Sequence, residues 1–143
     1  MRSEKVSFKP RARLMAQLGD QLITNESIAM LELVKNCYDA DAKEVQVKMF
    51  RIDDPDSAVI SINDDGIGMT YDTVKDIWME PGTENKKNIL IDMIQKKERS
   101  KLNRLPLGEK GIGRFGVHKL GNKIQLVSRA KNSLEVYLEI DWT

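Results

Sequence analysis

Residues 30–47, MLELVKNCYDADAKEVQV, set Glu32, Asn36 and Asp39 at helical spacing inside an otherwise apolar run. At about 100° per residue the three side chains share one narrow stripe. Ile28, Leu31, Leu33, Val34, Cys37 and Tyr38 cover the rest of the circumference. A helix apolar on so many sides is expected to be buried, and a polar stripe on a buried helix needs a partner. Two carboxylates and a carboxamide facing one cavity suit a hydrated divalent cation, a polyphosphate and an attacking water. The same spacing also fits a solvated helix face, and the segment alone does not choose between them.

Two glycine boxes follow. The run Ala58-Val59-Ile60-Ser61-Ile62 alternates as a half-buried strand does and leads into Asn63-Asp64-Asp65-Gly66-Ile67-Gly68-Met69, a glycine turn. Further on, Gly108-Glu109-Lys110-Gly111-Ile112-Gly113-Arg114-Phe115-Gly116 precedes a short helix-compatible segment, residues 117–120, which Gly121 can close. Glycines at such places let bare backbone N–H groups approach an anion, and a helix N-terminus adds a favourable dipole. Each box alone is a common turn; their order after the acid-and-amide helix is what carries weight.

In this order the motifs resemble the GHKL ATPases, the family of type II topoisomerases, ninety-kilodalton heat-shock chaperones, histidine kinases and MutL-type repair proteins built on the Bergerat fold. The first family box, E-x-x-x-N-x-x-D-A, is met by Glu32, Asn36, Asp39 and Ala40, and the second, D-x-G-x-G, by Asp64, Gly66 and Gly68. Gly111, Gly113 and Gly116, with Phe115 before the last of them, are similar to the chaperone-like form of the third. The resemblance extends over residues 22–129 and is nearest in style to the chaperone-like and MutL-like branches.

The resemblance implies ATP and Mg2+ as ligands and assigns roles residue by residue. Glu32 is the expected general base or water-positioning group. Asn36 is the expected magnesium ligand, and Asp39 supports hydrogen bonds at the nucleotide end. Asp64 is expected to accept from the adenine amino group, with Gly66 and Gly68 allowing close approach and Met69 packing on the ring or filling core. Residues 81–107 form the candidate lid, with Thr83 a candidate phosphate contact. Beyond it Gly111, Ile112, Gly113, Phe115 and Gly116 offer backbone amides to phosphate. Lys110 and Arg114 add positive charge there or simply face solvent. Glu32 favours the hydrolysing branches, so lid closure driven by ATP is the expected switch for dimerisation or for a downstream effector. A histidine-kinase catalytic domain and a non-hydrolysing interaction module are the alternatives.

Composition agrees with one domain over residues 1–143, since this length, 41% apolar and 31% charged, buries a sizeable core. The lone Cys37 excludes an internal disulfide and reads as a packed thiol. The lone His118 excludes a histidine metal cluster, and its place suits capping or packing. No signal peptide or long apolar span is visible, which points to the cytoplasm and away from the membrane. A net charge of +1 gives no support for nucleic-acid binding. Charge is uneven, however: residues 86–110 hold eight Lys or Arg against three acids, and residues 53–80 hold eight acids against Lys75. These are two solvated faces, or a basic lid drawn toward phosphates.

The expected elements are a short helix over residues 12–19, a long helix capped by Thr24 or Asn25 and ending near Asp39, and strands over residues 45–52 and up to Asp64, turned by Asp53-Asp54-Pro55-Asp56. Thr70 should cap a helix carrying Val74, Ile77 and Trp78 and stopping near Pro81-Gly82. An amphipathic helix over residues 88–97 and a hairpin around Lys131-Asn132-Ser133 complete the chain. The implied architecture is a two-layer α/β sandwich with a mixed, mainly antiparallel sheet. The family's fold usually continues past this point, so the chain is read as the N-terminal part of a longer protein, with a strand edge open to self-association.

Overall fold

The computed structural model describes residues 25–79, 85–107 and 117–141. The expected helix over residues 12–19, Thr24, the stop at Pro81-Gly82, Thr83 and the third glycine box lie outside them.

The long helix, α1, runs Glu26–Asp39. Asn25 caps it in extended backbone, its side-chain oxygen accepting from the Ile28 N–H at 2.9 Å, and Glu26 adds a negative charge in the first turn. The helix ends without glycine. Asp41 adopts φ 60°, the Asp41 N–H donates to the Tyr38 carbonyl at 3.0 Å, and the Ala42 N–H reaches the Cys37 carbonyl at 3.1 Å. Together these form a Schellman termination with aspartate in the left-handed position that glycine normally occupies. The expected all-round burial of α1 does not hold. Of its residues only Ala29 and Cys37 are buried, and Leu31 is 52% exposed. Among the described elements α1 packs on β2 (Val59–Asp64) and α3 (Val117–Leu120), and apart from Glu26, Ser27, Ile28 and Leu31 its residues are half-buried or buried.

β1 (Val45–Phe50) pairs antiparallel with β2, Val45 opposite Asp64 and Phe50 opposite Val59. The turn between them is built by Asp54, whose carboxylate accepts from the Asp56 N–H at 3.2 Å and the Ser57 hydroxyl at 2.6 Å. Here too burial departs from expectation. Every β1 residue is exposed, and β2 is half-buried only at Ile60, Ser61 and Ile62, so neither strand shows the alternation the sequence suggests. Val47 and Met49 stand opposite Ile62 and Ile60, an apolar ladder that no described element fully covers.

β3 (Lys123–Ser128) and β4 (Val136–Asp141) form the expected second antiparallel hairpin. Its inward face carries Ile124, Leu126, Val136, Leu138 and Ile140; its outward face holds the Lys123–Asp141 ion pair at 3.4 Å and Tyr137 hydrogen-bonded to Glu139 at 2.7 Å. Helices and antiparallel strands give the expected α/β class, although no parallel pairing occurs among the described residues. Gly121 closes α3 through its N–H on the Val117 carbonyl, and His118 is half-buried within that short helix.

Thr70 caps the following helical segment, as its spacing predicts: the Thr73 N–H donates to its hydroxyl at 3.2 Å and the Val74 N–H to its carbonyl at 3.0 Å. Thr73–Trp78 is a π-helix, the Met79 N–H reaching back to the Val74 carbonyl at 2.9 Å. Nothing in the side-chain pattern announces the wider turn. α2 spans Asn85–Lys96, starting three residues before the sequence expectation, and ends at Lys97, φ 54°, with the Glu98 N–H on the Met93 carbonyl at 2.8 Å.

Candidate functional site

The first two motifs meet at the C-terminal end of α1. Past Asp64, the chain folds over the Ala40 carbonyl, which accepts the Ile67 N–H at 2.8 Å. Gly66 is required at this approach, because a Cβ there would stand 2.6 Å from the Ala40 oxygen and 2.7 Å from Asp64 Oδ1. Asp64 Oδ1 accepts the Gly66 N–H at 2.8 Å and so shapes the turn that carries it. Gly68, at φ 66°, passes so close to the Arg129 carbonyl that any Cβ would overlap it. Next to it the Met69 N–H donates to the Ser128 hydroxyl at 2.8 Å. The second box is thus held to the end of α1 through Gly66 and Ile67 and to the end of β3 through Gly68 and Met69.

Asp64 is exposed, and its carboxylate lies beside the buried Cys37 thiol. Burial first, and the Asp64 charge second, push that thiol up to about 11. Cys37 is therefore a protonated, packed group, in keeping with its sequence reading; its Sγ also lies 3.4 Å from the Leu33 carbonyl. Because Cys37 lies about 100° round the helix from Asn36, Asp64 meets the flank of the polar stripe.

The stripe itself is half-buried at Glu32, Asn36 and Asp39. Glu32 Oε1 pairs with Lys35 Nζ at 2.7 Å within the helix. Asp39 Oδ1 accepts the Leu107 N–H at 2.7 Å, so this carboxylate holds the downstream end of the candidate lid. Lys110, Gly111, Ile112, Gly113, Arg114, Phe115 and Gly116, together with Thr83, fall outside the described residues.

Four further residues enter that the sequence reading missed. Asp65 Oδ1 takes the Lys43 and Glu44 N–H groups at 2.7 and 2.9 Å, tying the second box to the start of β1. Asp41 accepts from the Ser100 hydroxyl at 2.5 Å and the Leu102 N–H at 3.3 Å. Arg104 lies with its guanidinium 4.5 Å from the centre of the Tyr38 ring and donates to the Ala42 and Tyr38 carbonyls at 2.6 and 3.4 Å. No motif marks Asp41, Asp65, Ser100 or Arg104, because each acts through a partner more than 20 residues away. A groove of about 380 Å³ runs between these tethers, lined by Asp41, Lys43, Asp65, Ile67 and Lys101 among others. It flanks Asp64 and does not contain Asn36, so its volume does not mark the centre of the site.

Asp41 and Asp65 give the fold a defined acid sensitivity. The Ser100 hydroxyl, then the Leu102 N–H and the Arg104 charge, hold Asp41 below the usual carboxylate range. The Glu44 and Lys43 N–H groups do the same for Asp65. Carboxyls lowered on folding stabilise the fold fully above their unfolded value and lose that contribution as pH falls through the folded one. The urea midpoint is therefore expected to stay level from neutrality down to about pH 4 and to drop below it. Asp41→Asn should flatten part of that drop in a pH series of urea melts.

With the geometry in place, comparison with known proteins identifies the family. Residues 23–143 match the family described as histidine kinase-, DNA gyrase B- and HSP90-like ATPase, and the chain belongs to it. It is similar to chaperone protein HtpG of Fusobacterium nucleatum, 30% identical over 148 residues that cover 93% of this chain and 24% of that protein. HtpG of Streptomyces coelicolor is 25% identical over 150 residues, covering 94% of this chain and 23% of the relative. The chain thus spans about a quarter of the length of the relatives it matches. The resemblance to GHKL ATPases with a chaperone-like cast is borne out, and an ATP-binding ATPase domain is the class of protein the chain represents. Among the described residues no helix is long and apolar enough to cross a membrane.

Proposed function

We propose that this domain binds ATP with magnesium at the end of α1, hydrolyses it with Glu32 as general base, and uses closure of the 81–107 segment as a switch. The observation that carries the reading is the docking of the second box on the first. Ile67 and Gly66 close on the Ala40 carbonyl, so Asp64 and the Glu32-Asn36-Asp39 stripe approach from neighbouring faces of one helix end.

Each group then has a distinct task. Asp64 accepts from the adenine amino group, while Gly66 and Gly68 keep side chains out of the base's path and Met69 packs beside it. Asn36 presents a neutral, hard oxygen donor of the kind magnesium accepts. Among the described residues no three His, Cys, Asp or Glu side chains converge as a ready cage. The Asn36 oxygen would suit a cation held by one protein oxygen, with phosphate oxygens and water as its other ligands; bound there, magnesium would supply positive charge against the polyphosphate. Glu32 orients and deprotonates the attacking water, since phosphoryl transfer gains most from positioning and electrostatics. By sequence alone, Lys110, Gly111, Ile112, Gly113, Arg114, Phe115 and Gly116 are assigned to the phosphates through the third glycine box, and Thr83 through its lid-entry context.

The switch would act on a second copy of the chain or on a downstream effector, in the cytoplasm, with ATP and ADP as alternating ligands. Neither a membrane nor a nucleic acid is a partner in this reading. Calorimetric titration of the full chain with ATP and Mg2+ tests it. A saturable one-to-one isotherm is expected, and a flat one would remove the reading.

A further inference from the structure

We infer that Arg104 is a positioning residue for the magnesium and phosphate side of the site, holding the end of α1 from 62 residues beyond Ala42. The inference rests on the ATP-binding reading above and adds to it a residue that none of the family's motifs contains.

The C-terminal end of a helix leaves its last carbonyls without intrahelical donors, and cationic side chains nearby normally satisfy them. α1 carries no basic residue in its last turn. Arg104 supplies that cation from outside: it bonds the Ala42 carbonyl, just past the helix, at 2.6 Å, adds a second donor at 3.4 Å to the Tyr38 carbonyl that already takes the Asp41 N–H, and lays its guanidinium over the Tyr38 ring. A planar fork reaches two carbonyls and an aromatic face at once, which a lysine ammonium does not.

Arg104 is itself held in place. Its own N–H donates to the Ser100 hydroxyl oxygen at 3.0 Å, its carbonyl accepts the Ser100 N–H at 3.1 Å, and Ser100 in turn donates to Asp41. Three residues on, the Leu107 N–H closes on Asp39. The segment from Ser100 to Leu107 therefore grips Tyr38, Asp39, Asp41 and Ala42, four of the five residues at the end of α1. Asn36 and Asp39 lie within the final turn so held, and their direction depends on that turn keeping its register. Asp64 depends instead on the Gly66 turn and the Ala40 carbonyl, which Arg104 does not touch.

This separation makes the role measurable. Affinities for ATP with Mg2+, ATP with EDTA, and adenosine are compared in the full chain, in Arg104→Met and in Arg104→Lys, each checked for a single cooperative thermal transition. In Arg104→Met the gain in ATP affinity given by Mg2+ should fall by about tenfold to a hundredfold, the usual loss when a group that orients a metal ligand is removed. Adenosine affinity should stay unchanged. Arg104→Lys keeps the charge and the stem over Tyr38, so it should remain folded and show an intermediate loss. A folded Arg104→Met or Arg104→Lys that retains the full magnesium effect, or that loses ATP and adenosine in equal proportion, overturns the assignment. A wild-type chain that binds neither ATP nor adenosine overturns the nucleotide reading, and the role of Arg104 falls with it.

Discussion

Replacing Glu32 by alanine in the full chain is expected to lower steady-state ATP turnover by about a hundredfold or more, the range of a removed general base. ATP affinity should change little. The reasoning begins at the helix surface. Glu32 is half-buried on the polar stripe, and its one described partner is Lys35 in the next turn, at 2.7 Å. Such a pair between partly exposed side chains is worth about 0.5 kcal/mol or less, so its loss leaves folding nearly untouched and any change in rate reports chemistry. Glu32→Gln sharpens the comparison, because it preserves shape and hydrogen bonding and removes only the ability to take a proton. Phosphate release measured at saturating ATP separates the outcomes. Loss of turnover with retained binding supports hydrolysis by Glu32, and undiminished turnover in both variants would move the base elsewhere.

Local chemistry explains which parts of this fold are legible in the amino-acid order. Asn25 as one of two candidate caps, Thr70 as cap, the Asp54 turn and both hairpins depend on residues within a few positions of one another, and the sequence places them, although β1 stops at Phe50, two residues short of expectation. The family boxes are legible for the same reason, since Gly66 and Gly68 mark points where backbones touch and a Cβ cannot fit. What stays hidden is either non-local or degenerate. Arg104 and Ser100 look like two more polar residues in a basic stretch, and only tertiary contact reveals their hold on the end of α1. Asp41 takes a conformation usually left to glycine, and the bonds to its carboxylate that accompany this come from the distant Ser100 and Leu102. The π-turn at Thr73–Trp78 uses the same apolar spacing as an α-helix. Burial is the largest misjudgement: the apolar residues of α1 and β1 suggest enclosure, yet Leu31, Met49 and Phe50 are each 52% exposed, because apolar pattern fixes which face is sticky and not what covers it.

Asp64→Asn should nearly erase the preference for adenine while preserving the fold. Asp64 Oδ1 accepts the Gly66 N–H, and asparagine retains an Oδ1 able to do the same, so the turn that sets Gly66 against Ala40 is kept. The second carboxylate oxygen becomes an NH2 group, a donor in place of an acceptor. Facing the adenine amino group, two donors meet, and a charged hydrogen bond worth about 1.5–3 kcal/mol is replaced by an unsatisfied contact. ATP affinity is therefore expected to fall by about tenfold to a hundredfold. Inosine triphosphate, which offers an acceptor at the same position of the base, should lose far less and be bound by the variant about as well as ATP is. Titration of wild type and variant with both nucleotides gives the ratio that matters. If Asp64→Asn leaves that ratio where wild type has it, Asp64 does not read the base, and the adenine end of the site must be sought along another face of α1.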